Sequence, residues 1–277
     1  MGNNLLKGKR GIIFGALNEN SIAWQVALKC KEEGAEFVLT NAPVAARVGQ
    51  TETLATQLNA PLIYADVTKM EDLENLVSQS MEKLGGQLDF VLHSVGMSLN
   101  VRKKIPYPEL NYEYMHQTLD ISAMSLHRLL QTLWAKDAMA EWGSVVALTY
   151  IAAQRVFPDY SEMADAKSLL ESITRSFGYH FGKRSKVRIN TISQSPTKTT
   201  AGSGVAGFDA FFNYADTMSP LGNANSETCA NYCVSLFSDY TRMVTMQNLF
   251  HDGGFSFTGV ASEFMEQLSD SALGKSS

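Results

Sequence analysis
The segment TYIAAQRVFPDYSEMADAK (149–167) sets two tyrosines and a lysine at spacings that suit acid–base chemistry. Tyr160 and Lys167 are seven residues apart. On an α-helix, seven steps of about 100° fall about 20° short of two turns, so both side chains share one face about 10 Å apart along the axis. A long lysine leaning toward the N-terminus of its helix narrows that gap. The spacing predicts one helix, opened by Pro158 and Asp159, that presents a phenol and an ammonium to the same space. Such a pair suits a reaction in which an oxygen gains negative charge. The ammonium supplies positive potential, and the phenol donates a hydrogen bond to the new anion. Tyr150, ten residues before Tyr160 at the end of a strand-like run, can line the same cleft. Singly these residues have ordinary readings: a helix lysine is commonly solvated and a strand-end tyrosine commonly packs. The chemistry rests on the three together, in a fold that aims them.

That fold is legible in the hydrophobic runs. Strand-like runs recur at 11–15, 36–40, 62–66, 89–95, 144–150, 187–193 and 247–251. Most are rich in Val, Ile, Leu and Phe without polar alternation, as in strands buried on both faces of a parallel sheet. Helical patterns fill the intervals at 21–33, 44–58, 70–84, 112–140, 159–182 and 226–237, and Gly34 reads as the stop of the first. The β-α-β-α order implies an α/β fold: a single doubly wound Rossmann-like domain over 1–277, with a seven-stranded parallel sheet. No repeat, low-complexity tract or linker interrupts it, and the polar end, about 266–277, reads as a flexible tail.

The first strand ends at Gly15, and the next helix begins near Ser21. A glycine there permits a sharp turn, and the helix N-terminus offers N–H groups and a positive dipole end to a pyrophosphate. Ser21 can cap the helix and touch a phosphate. The GxGxxG pattern is absent, and alone this loop is a weak signal. At the end of the second strand stand Thr40, Asn41, Ala42 and Pro43, without the carboxylate that selects the free 2′-hydroxyl of NAD. Arg47 either meets a 2′-phosphate or is a solvated helix residue. Asp66 and Val67 are placed to meet an adenine, although an Asp at a strand end also serves as a helix cap. The fourth run ends HSVG (93–96), where Gly96 permits close approach of a ligand. His93 has an acid–base reading and a structural one, and the structural one is the commoner.

Composition excludes several classes. The chain has 277 residues, 45% hydrophobic and 18% charged, with a formal net charge of −5 and no basic block, so a nucleic-acid surface is not signalled. GIIFGA (11–16) and SVVAL (144–148) fall far short of the roughly 20 apolar residues that cross a bilayer. Three cysteines, Cys30, Cys229 and Cys233, match neither a CxxC nor a zinc pattern and read as reduced, buried thiols.

Together these motifs resemble the enoyl-acyl carrier protein reductases of bacterial fatty-acid synthesis, a branch of the short-chain dehydrogenase/reductase superfamily. The superfamily at large carries Tyr-x3-Lys, but the residue four after Tyr160 is Ala164. The enoyl reductase branch carries Tyr-x6-Lys with a second Tyr ten residues upstream, and Tyr150, Tyr160 and Lys167 match it. Its nucleotide loop, Gly-x5-Ser-Ile-Ala, is present as Gly15, Ser21, Ile22 and Ala23. The likeness continues through Asp66-Val67, HSVG (93–96), LDIS (119–122), VRINTIS (187–193) and HDGGFS (251–256), over about residues 5–260.

The resemblance implies NAD(P)H-dependent reduction of the trans-2 double bond of enoyl-acyl carrier protein thioesters. Tyr160 would stabilise the enolate oxygen, Lys167 would hold the nicotinamide ribose, and Tyr150 would lie beside the acyl chain. Gly15, Ser21, Ile22, Asp66, Val67, Ser94, Val95 and Gly96 would contact the cofactor, as would Pro196, Thr197, Lys198, Thr199, Thr200 and Ala201. Ser98 and Met163 would join the tyrosines at the substrate. NADH is the expected cofactor, with NADPH open and no metal. The expected partner is acyl carrier protein, with a homotetrameric, cytoplasmic enzyme and neither membrane nor nucleic acid involved. The chain departs from the family at Gln194-Ser195-Pro196, where Ala-Gly-Pro is common, at Thr197, which replaces an aliphatic residue, and at Ala42. A substrate lid is expected over about 197–217, with Gly202, Gly204 and Gly207 as hinges and Phe208, Phe211 and Phe212 as its apolar face. Two alternatives stand beside this reading: a reductase of the same fold acting on a ketone or another enone, and a non-catalytic dinucleotide sensor.

Overall fold
The computed structural model describes residues 2–200 and 208–272. Among them six parallel strands form one sheet: β1 (Arg10–Phe14), β2 (Glu36–Thr40), β3 (Leu88–His93), β4 (Met139–Thr149), β5 (Arg188–Gln194) and β6 (Asn248–His251), in the order β2-β1-β3-β4-β5-β6. The helices are α1 (Ile22–Glu32), α2 (Ala45–Val48), α3 (Thr51–Leu58), α4 (Met70–Leu84), α5 (Leu99–Arg102), α6 (Tyr112–Leu119), α7 (Ser125–Ala135), α8 (Met163–Ser185), α9 (Phe208–Met218), α10 (Ser226–Phe237) and α11 (Ser262–Ala272).

The strands read as unbroken apolar runs because both faces of the sheet are covered. Ile12, Phe14, Val38, Val91, Val145, Ala147 and Ile189 enter one core with residues of α4, α7 and α8. Their neighbours Ile13, Phe37, Leu39, Phe90, Leu92, Val146 and Leu148 enter the other, with α1, α3 and α10. The chain lays β2 on one side of β1 and every later strand on the other, which opens a crevice beyond the carboxyl ends of β1 and β3. Gly15 ends β1 there with φ +93°, and a Cβ on it would stand 2.0 Å from the Ser94 carbonyl oxygen.

Five expectations are corrected. The sheet has six strands among the described residues, because 62–66 contributes only an isolated bridge, Leu62 to Leu39. Pro61 accepts from the Leu39 N–H but has no N–H to return, and the pairing does not extend into a strand. The helix read over 44–58 is two, parted at Gly49, whose ψ of −178° is extended. The helix read over 112–140 passes through a π turn at Asp120–Met124 and stops at Ala135, and Asp137 with φ 48° turns the chain into β4. The helix read from 159 begins only at Met163, so Tyr160 is not on it. Tyr160 closes a 3₁₀ turn at Pro158–Tyr160, and Ser161, with φ 48° and ψ −142°, breaks the path to α8. Residues 266–272 belong to α11, so the expected tail is helical as far as Ala272. Of the expected lid, 208–217 lie in α9, whereas Ala201, Gly202, Gly204 and Gly207 lie outside the described residues.

Candidate active site
Tyr160 and Lys167 approach the crevice by different means. Lys167, one turn into α8, is 8% exposed and donates from Nζ to the Leu148 carbonyl, 2.8 Å away at the end of β4. A Cβ placed on Gly96 would lie 3.8 Å from that Nζ, 3.9 Å from Met163 Cε and 3.9 Å from Ser122 Oγ, so Lys167 and Met163 stand at the Gly96 edge of the crevice. Tyr160, on its 3₁₀ turn, is half-buried and packs against the core cluster that also holds Met163 and Ala166. Its ring lies 5.1 Å from that of Tyr150, which follows β4 directly. The Tyr150 hydroxyl is buried and has no hydrogen-bond partner.

Burial sets the protonation states. It pushes the Lys167 ammonium down to about 8, while Glu171 one turn later pulls it back up. It raises the Tyr160 hydroxyl, and for Tyr150 the neighbours Tyr160 and Asp252 add to the rise, so both stay phenols. His93 is pushed down to about 3 by burial, with Lys167 adding to the effect. Ser125 Oγ spends its proton on the Ile121 carbonyl, so it accepts from His93 Nε2 at 2.8 Å. His93 is thus a neutral, structural imidazole with a bare Nδ1.

The nucleotide side of the crevice joins three loops. Ser21 occupies the N-cap position of α1 but does not cap it. Its Oγ accepts from the Leu17 and Asn18 N–H groups and folds the loop after Gly15. The first N–H groups of α1, on Ile22 and Ala23, therefore receive no side-chain cap. Asn18 Nδ2 donates to Thr200 Oγ1 at 2.8 Å, which ties this loop to the stretch after β5. In that stretch Pro196 is buried, the Thr199 N–H donates to the Thr197 carbonyl, and Lys198 lies over the Phe212 ring. Ala201 lies outside the described residues. Ser94 and Val95 are half-buried at the end of β3, and Met97 is held by both backbone groups to Ser122 Oγ. Asp66 spends its carboxylate locally, on the Thr68 N–H and hydroxyl, while Val67 packs against the core.

At the end of β2, Thr40 Oγ1 and Asn41 Nδ2 are buried without partners. A buried amide donor and hydroxyl left unmatched there suit the hydroxyls and ring nitrogens of an adenosine. With the uncapped start of α1 and an exposed Gly96 at the end of β3, the crevice fits a dinucleotide. Gly15→Ala should disable it: the left-handed φ alone costs about 1–2 kcal/mol, before the collision with the Ser94 carbonyl. A fluorescence titration should show NADH binding lost and thermal unfolding shifted down.

Sequence reasoning missed several contributors. Glu171 accepts from Thr149 Oγ1, Gln154 Nε2 and Asn248 Nδ2, and Glu162 accepts from Ser98 Oγ and Thr118 Oγ1. Two carboxylates on the buried side of the lysine-bearing segment were the available signal. Ser122 lay in the quoted LDIS motif without a role. Gln194, the departure from Ala-Gly-Pro, is bound to His251 Nδ1 at 2.7 Å through Oε1 and donates to the Ala224 carbonyl. Phe157 and Phe255, which lie in the quoted segments 149–167 and HDGGFS without a role, join Tyr150 and Phe211 in one aromatic cluster.

Comparison with known proteins agrees with this geometry. A family model described as enoyl-(acyl carrier protein) reductase matches residues 15–256. The enoyl-[acyl-carrier-protein] reductase [NADH] 2 of Rhizobium meliloti (strain 1021) is 32% identical over 261 residues, covering 93% of this chain and 95% of that one. The FabI-NADH complex from Alistipes finegoldii is 59% identical with a TM-score of 0.92, covering 93% of this chain and 91% of the other. The Bacillus cereus enoyl-acyl carrier protein reductase, solved with NADP+ and indole naphthyridinone, is 28% identical with a TM-score of 0.86, covering 94% and 100%. Likeness across nearly the whole chain, which carries Tyr160 and Lys167 at the Tyr-x6-Lys spacing in a fold that fits a dinucleotide, makes this protein a member of the enoyl-acyl carrier protein reductase family.

Proposed function
We propose that the chain reduces the trans-2 double bond of enoyl-acyl carrier protein thioesters with NADH. The observation that carries this reading is Lys167 and Met163 at the Gly96 edge of the crevice, with Tyr160 on the turn just before α8 and its ring 5.1 Å from that of Tyr150. NADH, when bound, supplies the hydride taken up at the β-carbon. Gly15, Ser21, the start of α1 and the 196–200 stretch hold its pyrophosphate and carboxamide ends. Lys167 exchanges or shares its Leu148 partner to bind the nicotinamide ribose hydroxyls. As the thioester oxygen becomes an enolate, the Tyr160 hydroxyl donates to it, the Lys167 charge lowers the energy of that anion in a site of low dielectric, and uptake of a proton at the α-carbon completes the saturated thioester. Tyr150, Phe157 and Phe211 give the acyl chain an apolar wall, and Ser98 and Met163 bound it from the other side.

Initial rates test the assignment. A crotonyl thioester should be reduced, faster with NADH than with NADPH, while an acetoacetyl thioester should not. Nucleotide binding without turnover would favour the sensor reading. We also take the enzyme to act in the cytoplasm as a homotetramer, with the exposed apolar Phe257, Val260 and Met265 near the C-terminus supporting assembly. Among the described residues no helix is long and apolar enough to cross a membrane.

A pH series gives a further check. If ribose binding needs the Lys167 ammonium, which burial pushes down to about 8, NADH affinity holds near pH 7 and falls as the proton leaves. The apparent dissociation constant then rises by up to about tenfold per pH unit above about pH 8. A constant value from about pH 7 to 9.5 would separate Lys167 from cofactor binding.

A further inference from the structure
Glu162 is 0% exposed, although it lies between the candidate catalytic Tyr160 and α8. Its Oε1 accepts from Ser98 Oγ at 2.7 Å and from Thr118 Oγ1 at 2.7 Å, while Oε2 is buried without a partner. A buried carboxylate is costly unless something holds it, so its contacts call for an explanation. Ser98 uses the same hydroxyl to accept the Val101 N–H at the start of α5, and Thr118 shares its proton with the Tyr114 carbonyl in α6. One carboxylate thereby clamps three elements: the loop after β3, α6, and the turn that carries Tyr160.

Ser161 shows what the clamp resists. It sits between Tyr160 and Glu162 at φ 48° and ψ −142°, a backbone region that favours glycine. A non-glycine residue stays there only when its surroundings over-determine it. Its own side chain makes one long bond, Ser161 Oγ to the Ile105 carbonyl at 3.4 Å. The strong bonds are those of Glu162.

We propose that Glu162 is a positioning residue: bound to Ser98 and Thr118, it holds the strained Ser161 turn and so aims the Tyr160 hydroxyl into the crevice. This rests on the enoyl reductase reading above. The carboxylate stays ionised because the Thr118 and Ser98 hydroxyls, its own backbone N–H and the Asn100 side chain outweigh the penalty of burial and hold it below the usual range.

The test uses the intact enzyme and three variants: Glu162→Leu, Glu162→Gln and Thr118→Val. Releasing the turn misplaces Tyr160, so Glu162→Leu should lower kcat on crotonyl thioester by about 10²-fold at saturating NADH. Its NADH dissociation constant should change far less, by no more than about fivefold, because Lys167, the Gly15–Ser21 loop and the 196–200 stretch are untouched. Glu162→Gln keeps an acceptor for both hydroxyls and should recover kcat to within about fivefold. Thr118→Val removes one donor and should fall between, which keeps the proposal testable if Glu162→Leu does not fold. A readout free of turnover completes the test: 3-fluorotyrosine at position 160 should give one ¹⁹F resonance that Glu162→Leu shifts or broadens. Full kcat in the Leu and Val variants with an unmoved resonance overturns the clamp, as does a kcat loss matched by an equal loss of NADH affinity. Failure of the enoyl reductase reading is separate, since it would appear as a wild-type enzyme that binds NADH and does not turn over.

Discussion
Tyr160→Phe should lower turnover of a crotonyl thioester by about 10²–10³-fold, the usual effect of losing one donor to a developing oxyanion. The substitution removes one oxygen and leaves the ring, its 5.1 Å contact with Tyr150 and its packing against the core in place. NADH affinity and the melting temperature should therefore stay close to wild type. Burial favours the neutral phenol, so Tyr160 is a hydrogen-bond donor throughout the neutral pH range. His93 does not replace it, since burial keeps that imidazole neutral and its Nε2 is engaged with Ser125. Steady-state rates with saturating NADH decide the matter. A Tyr160→Phe enzyme with wild-type kcat would move the proton donor to another residue, with Tyr150→Phe the next variant to measure.

Lys167→Ala should act mainly on the cofactor. The ammonium is buried, stands at the Gly96 edge and, without cofactor, spends one hydrogen on the Leu148 carbonyl. Charge-assisted hydrogen bonds are worth about 1.5–3 kcal/mol, so the NADH dissociation constant should rise by about 10- to 100-fold. Turnover at saturating NADH should fall as well, because the positive field beside the enolate is lost. Lys167→Arg is not a conservative replacement here. The planar guanidinium would have to fit where a point charge meets one carbonyl, between Met163 and Ser122. Equal NADH affinity in wild type and Lys167→Ala would remove this residue from the cofactor site.

The strand pattern was readable because the physics behind it is local. Two buried faces need apolar residues at every position, and the runs at 11–15 and 36–40 coincide with β1 and β2 to within a residue. The run at 62–66 is equally apolar and fails as a strand because Pro61, just before it, has no N–H to give β2, so the ladder is confined to the Leu39–Leu62 bridge. The seven-residue spacing of Tyr160 and Lys167 reads as two helical turns, but a left-handed Ser161 starts the helix at Met163, so the placement of Tyr160 is set by the preceding turn and not by helix periodicity. The buried carboxylates were opaque for a related reason. Glu162 and Glu171 look like solvated helix residues until Ser98, Thr118, Thr149 and Asn248 arrive from distant segments to meet them.

One structure would test the central claim directly: a crystal complex with NAD+ and an enoyl thioester analogue. The account predicts Lys167 Nζ within hydrogen-bonding distance of a nicotinamide ribose hydroxyl and Tyr160 Oη within hydrogen-bonding distance of the thioester oxygen. A complex in which Tyr160 points away from the nicotinamide, or Lys167 remains on the Leu148 carbonyl alone, would contradict it.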